Sequence, residues 1–208
     1  TAELLFEARE RMLERTVVEP GGELAQSIDV LAEHVNEDDF TGLMQTLANN
    51  RAKLADALDY FARQGGIGPA VTQLVGLENF ETDVAQIEAT IDGALDETAL
   101  NAAADALSRG AKTSQEFALK LRAYLKMAAR PTQFQSVYAP LFITGAGDPR
   151  KKLITKGAEA AADILAAEQD RVLAALEKLK ARATADATGH LLIVGSALLR
   201  AYERLKRV

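Results

Sequence analysis

"RVLAALEKLKARATADATGHLLIVGSALLRAYERLK", Arg171 to Lys206, repeats apolar residues at helical spacing over most of its length. Leu165, Val172, Leu176 and Leu179 form one line, and Leu191, Val194, Leu198, Tyr202 and Leu205 form another. Residues three, four and seven apart share one face of a 3.6-residue helix, so both lines predict helices with one buried side. Between them, "ATADATG" (Ala183–Gly189) gathers weak helix formers. That predicts a hinge or hairpin there, with one continuous helix as the alternative.

The same period runs upstream. Leu4, Leu5, Ala8, Met12 and Leu13 give a first helix to about Val17, which "EPGG" (Glu19–Gly22) ends. Glu23–Val35 carries Leu24, Ile28, Leu31 and Val35 at spacings of three and four. Asn36 suits an N-cap, with Glu37, Asp38 and Asp39 in the first turn, so "NEDD" reads as a helix start and not a metal cluster. Arg51–Gln64 is a helix stopped by "GGIGP", and Pro69 suits the first turn of a short one. Further helices are expected near Thr82–Ile91, Glu97–Ser108 and Thr113–Ala129, the last broken by Pro131. No repeat of fixed period occurs.

The chain departs from this pattern once. "YAPLFIT" (Tyr138–Thr144) suits a strand, and "GAGDPRKKLITKG" (Gly145–Gly157) combines glycines, a proline and four cations. Apolar and β-branched residues on both sides of a Gly-Asp-Pro tip predict a short hairpin or rigid loop. The fold class is therefore all-α, a multi-helix bundle-like subdomain with one short β-like hairpin or rigid loop near 140–156.

Composition narrows the function. The 208 residues include no Cys and no Trp, and aromatics are 5%. Ala and Leu must fill much of the core. Disulfides, thiolate metal sites and Cys nucleophiles are excluded, which fits a reducing, cytoplasmic setting. No apolar run approaches the roughly 18 residues of a membrane span, so no membrane partner is expected. The start is an amphipathic acidic helix, not a signal peptide, and without an initiator Met it reads as an excised fragment. His34 and His190 are isolated, each a surface or satisfied core residue. No Walker phosphate loop, G-x-S-x-G or H-E-x-x-H is present, and "GGIGPA" lacks the strand and Lys of a phosphate loop. The chain by itself is not expected to be an enzyme, with no catalytic, cofactor or metal residues.

Net charge is −6, but its distribution is uneven. Residues 1–100 hold six Lys and Arg against twenty Asp and Glu, a balance of −14; residues 101–208 hold eighteen against ten, a balance of +8. A local positive field is what a polyanion meets, whatever the total. On the helix near 113–129, Arg122, Lys126 and Arg130 are four apart and share one face. Phe117, Leu121, Tyr124, Leu125 and Ala128 take the buried side. Pro149 fixes φ at the tip, so Arg150, Lys151, Lys152 and Lys156 are presented by a preset backbone and lose less entropy on meeting phosphates. These seven cations are the candidate DNA-binding residues. Tyr138 and Phe142 either stack on a base or pack under the loop, packing being favoured.

"LFITGAGDPRKKLITKG" (Leu141–Gly157), then "EQDRVLAALEKLKA" (Glu168–Ala181) and "ALLRAYERLKRV" (Ala197–Val208), resemble the large helical insertion of AddA-type double-strand-break repair helicases, of the UvrD/Rep-like, RecB-related superfamily. Gly147–Leu153 match that family's "G-[ED]-P-R-K-[KR]-L", and Ala201–Lys206 match its "A-Y-E-x-L-K" helix. The opening "TAELLFEARERML" is similar to the segment entering the insertion, whereas about 20–130 carries no specific motif. The resemblance implies a single helical 1B subdomain over 1–208, with an acidic half to about 100 and a basic half beyond, lying beside the DNA. The ATP and Mg chemistry would belong to flanking motor domains of the parent, and an AddB-like subunit is the implied partner. An insertion leaves and re-enters its host at one place, which predicts that Thr1 and Val208 are neighbours. A competing class remains: an interaction module docking a partner subunit through the acidic half, without direct DNA contact.

Overall fold

The computed structural model describes residues 2–33, 35–77 and 83–207. His34, the expected helix start at Thr82, and both terminal residues lie outside that set. Ten α-helices occur among the described residues: α1 (Ala2–Val18), α2 (Glu23–Ala32), α3 (Glu37–Asn49), α4 (Arg51–Arg63), α5 (Ile67–Leu74), α6 (Val84–Gly93), α7 (Glu97–Leu107), α8 (Lys112–Leu125), α9 (Ala139–Phe142) and α10 (Ala162–Lys206). No β-strand forms among these residues. The all-α expectation holds, and the β-like excursion reduces to one antiparallel bridge between Ile143 and Pro149.

Helix starts follow the capping residues. The Asn36 side chain accepts from Asp39 N at 2.9 Å. Asp83 and Gln86 form a reciprocal capping box, and Asp96 accepts from Ala99 N at 2.9 Å. Each cap satisfies a backbone donor that the helix itself leaves unpaired.

The chain divides into two compact units, Thr1–Phe80 with Ala181–Val208, and Glu81–Lys180. In the first, Ala8 and Met12 of α1 are fully buried in a cluster with Leu31, Met44, Val194 and Leu198. Gly195 lets α10 lie close to α4: a Cβ there would stand 3.1 Å from Leu54 Cδ2. A smaller cluster joins Phe61, Ala70 and Val71 to Ala185. In the second unit, α6, α7, α8 and the first half of α10 enclose an aromatic ladder, Phe134, Tyr138 and Phe142, all buried. Tyr124 stacks on Tyr138 with ring centroids 4.3 Å apart. The two apolar lines of α10 therefore fill different cores, Leu165–Leu179 in one unit and Val194–Leu205 in the other.

Three expectations are corrected. "YAPLFIT" is not a strand: Phe134–Tyr138 is a π-helical turn that runs into α9. Residues 134, 138 and 142 are four apart; the helical backbone brings successive ring centroids to 6.0 and 5.2 Å, whereas an extended strand would separate such residues by about 13 Å. Second, α8 ends at Leu125 and not near Ala129. There the Arg130 guanidinium donates to Leu125 O at 3.2 Å, and Tyr124 Oη donates to Arg130 O at 3.1 Å, so the chain folds back before Pro131. Ala128 lies past the helix and is exposed. Third, "ATADATG" is neither hinge nor hairpin, because α10 is continuous over 45 residues. Its Thr, Asp and Gly cost on the order of 3 kcal/mol relative to Ala. No new nucleus is needed inside a helix propagating from both sides. The i,i+4 ion pair of Arg182 with Asp186 and burial of Ala185 offset the rest.

Two predictions follow from these cores. A Cβ on Gly189 would meet nothing within 4 Å. Gly189→Ala should therefore raise the urea-unfolding free energy by roughly 0.5–1 kcal/mol, and Gly189→Pro should lower it by about 3 kcal/mol or more. Equal stability in all three proteins would mean that no helix passes through this point. The second concerns alkali. Burial, with the Asp92 carboxylate nearby, pushes the Tyr124 phenol up to about 12, and burial beside Glu168 raises Tyr138 as well. Above the ordinary tyrosine pKa of about 10 the unfolded chain releases phenolic protons that the fold retains. Stability is thus intact below pH ~10 and should fall as pH rises towards 12. Phenolate absorbance across a urea transition at alkaline pH should show these two tyrosines ionising only on unfolding, and Tyr124→Phe should flatten the pH dependence.

Candidate nucleic-acid interface

The segment between α9 and α10 is a finger with a closed backbone. Arg150 N donates to Phe142 O at 2.9 Å, and Thr144 N to Asp148 O at 2.8 Å. The tip turns through Gly147 N to Thr144 O at 3.0 Å, with Gly147 at φ +87°, which an L side chain rarely adopts. That is the arrangement of a three-residue hairpin loop, a turn followed by a left-handed glycine.

Both sides of the finger are tied to helices. Gln169 of α10 donates its amide to Phe142 O at 2.7 Å and to Arg150 O at 3.1 Å, so one side chain holds both legs. At the base, Thr155 Oγ1 accepts from Ala111 N at 3.0 Å and lies 2.7 Å from Ser114 Oγ, while Thr155 N donates to Ser114 Oγ at 3.0 Å. Gly110 is required for this approach: a Cβ there would stand 2.9 Å from Ser114 Cβ and 3.0 Å from Thr155 Oγ1. Every one of these contacts lies inside the Glu81–Lys180 unit.

The candidate cations separate into two groups. Arg122 donates to Asp105 Oδ1 at 2.5 Å and to Ser108 Oγ at 3.0 Å. Arg130 lies 2.5 Å from Glu97 Oε1 and 3.1 Å from Asp92 Oδ1, and the Glu97 hydrogen bond is the main cause of its raised pKa. Asp92 Oδ1 is buried and receives no well-directed hydrogen bond, so its attraction to Arg130 Nε is Coulombic. Because α8 stops at Leu125, Arg122, Lys126 and Arg130 form no helical row. The structure brings them together only as neighbours in sequence, and Lys126 alone of the three is exposed and enters no ion pair among the described residues. In the finger, Lys151, Lys152 and Lys156 are exposed and enter no ion pair among the described residues. Arg150 is oriented by two donations to Pro140 O, from Nε at 3.2 Å and Nη2 at 2.9 Å.

Tyr138 and Phe142 are fully buried and pack beneath the finger, with Phe142 edge-on to Phe117 at 5.7 Å. His190 is not isolated: Nδ1 lies 3.0 Å from the buried Ser27 Oγ, whose own proton goes to Glu23 O at 2.7 Å. Ser27 is fully buried, and its contact with the carbonyl four residues back is an ordinary helix contact. Among the described residues no group of three or more His, Asp or Glu is placed to hold a metal ion, and no helix is long and apolar enough to cross a membrane.

Sequence reasoning missed the polar network beneath the site. Glu168 is buried, accepts from Tyr138 Oη at 2.5 Å, and takes both Arg171 Nε at 2.8 Å and Nη2 at 2.6 Å. Arg171 also donates to Ile91 O at 2.8 Å. The Glu168–Arg171 spacing of three was a readable helix pair; the Tyr138 and Ile91 partners had no local signal. Lys120, one of the ten cations between 109 and 156, also stands beside the finger.

No family model, no curated protein and no solved structure matches the chain.

Removing the clamp should loosen the finger without unfolding the unit. Gln169→Ala should cost about 1–2 kcal/mol, typical of two lost hydrogen bonds. It should also speed hydrogen exchange at the Arg150 amide well beyond the change at core amides of α8. Equal changes at both places would mean that the finger's order does not depend on Gln169.

Proposed function

We propose that this chain is a non-catalytic DNA-contacting module, in which the finger holds cations against a nucleic-acid backbone. The observation that carries this is the pairing of order with free charge. Lys151, Lys152 and Lys156 are exposed and enter no ion pair among the described residues, yet they stand on a backbone closed by hydrogen bonds and clamped by Gln169 and Thr155. Lysines that only solubilise a surface need no such scaffold. Phosphates carry no sequence information, so contacts of this kind position a duplex or single strand without reading it.

The resemblance to AddA-type repair helicases gives this module a context. We place it as a 1B-like subdomain of an ATP-dependent helicase or helicase–nuclease acting on broken DNA ends in the cytoplasm. ATP and Mg would be handled by flanking domains of the parent, and an AddB-like subunit is the expected partner. A second reading has its own support: Phe6, Val17 and Val18 of α1 are large apolar side chains left exposed in the acidic part of the chain. They favour a docking role for that face, which does not compete with the finger for the same surface.

The test is a salt series of oligonucleotide binding by fluorescence anisotropy, starting at low ionic strength. Affinity should fall with salt at a log–log slope of about 0.7 per phosphate contact on single strands and about 0.9 on B-DNA. Replacing Lys151, Lys152 and Lys156 together by Ala should flatten the slope by roughly 2 to 3 units on that basis and leave sequence preference unchanged. An unchanged slope, or no binding at low salt, would overturn the proposal.

A further inference from the structure

The finger and α8 line a half-open concavity of about 170 Å³, room for more than one water. Thr113, Glu116, Phe117 and Lys120 form one wall. They are spaced i, i+3, i+4 and i+7 on α8, and so share one face. The opposite wall carries Arg150 and Lys152 of the finger. Three cations and a hydroxyl therefore face one concavity, against a single carboxylate.

We infer that this cavity seats one backbone phosphate of the bound strand, held by Lys120, Lys152 and Arg150; the inference rests on the DNA reading above. The walls are built to hold their positions. Phe117 is fixed edge-on to Phe142, and Arg150 is aimed by its two bonds to Pro140 O, which leave Nη1 uncommitted. A guanidinium held in plane presents directed donors to an oxyanion, while Lys120 and Lys152 act as mobile point charges around it. Neither lysine enters an ion pair among the described residues. The Thr113 hydroxyl supplies one further donor. Glu116 opposes an anion here and sets the site's strength. Lys151 and Lys156 do not line the cavity, so they contribute to the general field of the finger and not to this seat.

Two features separate this seat from the general finger reading. Lys120 belongs to α8 and not to the finger, and Glu116 acts with the opposite sign. Lys120→Ala and Lys152→Ala should each weaken oligonucleotide binding several-fold. The double variant should weaken it less than the product of the two, because both residues serve one phosphate. Its salt slope should fall by about one contact, 0.7 to 0.9. Glu116→Gln should tighten binding. All three positions are exposed, so the variants keep the fold, which circular dichroism verifies. Multiplicative effects with a slope loss of two contacts would overturn the shared seat. If Lys151→Ala and Lys156→Ala flatten the slope while Lys120→Ala and Glu116→Gln change nothing, the seat is wrong and the DNA reading stands. Failure of the native chain to bind DNA at low salt would end both. Inorganic phosphate serves as the second probe, followed by the amide shifts of Lys120 and Leu153. Saturation by phosphate that depends on Lys120 but is not competed by oligonucleotide would make this a free-phosphate site and overturn the assignment to a strand.

Discussion

Glu168 is the constraint on which the second unit depends. A carboxylate buried this deeply costs several kcal/mol unless it is paired and hydrogen-bonded. Tyr138 and Arg171 satisfy it, and in doing so they fix what they belong to. Tyr138 is the middle ring of the ladder, and Arg171 reaches the last turn of α6 through Ile91 O. The next residue along, Gln169, points to the finger and holds both of its legs. Adjacent residues of one helix thus settle the core and the site together. Once the Tyr138 ring is seated, Phe142 follows one turn later, and the finger begins at its carbonyl.

The helices were legible because their signals are local. Asn36 caps α3 and Asp96 caps α7 by contacts within three residues. In two of the corrected elements a weaker local preference yields to the packing of neighbouring apolar positions, and α8 ends early at the hydrogen bonds that Arg130 makes with Leu125 and Tyr124. "YAPLFIT" is rich in residues that favour strands, yet the rings of Phe134, Tyr138 and Phe142 pack 6.0 and 5.2 Å apart, which a helical rise allows and an extended strand does not. "ATADATG" is poor in helix formers, yet it sits between two strongly apolar helical stretches and completes its own ion pair. The finger's turn was readable from Gly147, Asp148 and Pro149. Its supports were not, because Gln169 lies 27 residues from Phe142 and Thr155 lies 41 from Ser114. No local pattern announces a hydrogen bond over such a separation.

Charge shows a similar limit. The count of ten cations between 109 and 156 overstates what a polyanion would meet. Arg122 and Arg130 are answered by Asp105, Asp92 and Glu97, which the sequence split at residue 100 assigns partly to the other half. These acids belong to the same compact unit as the finger, so the unit boundaries do not follow the charge split at residue 100. Arg130 pairs within a partly enclosed setting, where its loss would strand Asp92; Arg122 is more exposed and its pair with Asp105 is worth less.

That sorting strengthens the functional argument. Arg122 and Arg130 are paired within the unit, whereas Lys151, Lys152 and Lys156 enter no ion pair among the described residues. Lys151, Lys152 and Lys156 could have been neutralised at little structural cost, since Glu159 is close in sequence and spends its carboxylate on Gly157 N instead. The acid thus caps a backbone turn, and the lysines beside it stay free. A closed loop whose acid serves the backbone, and whose three lysines enter no ion pair among the described residues, keeps that charge at its surface. The concave wall of α8 extends that field inward, where Lys120 and Arg150 meet Lys152. In the proposed seat Arg150 is held by its two bonds to Pro140 O, so the cost of ordering that one ligand is met in folding, while the two lysines would be ordered only on binding.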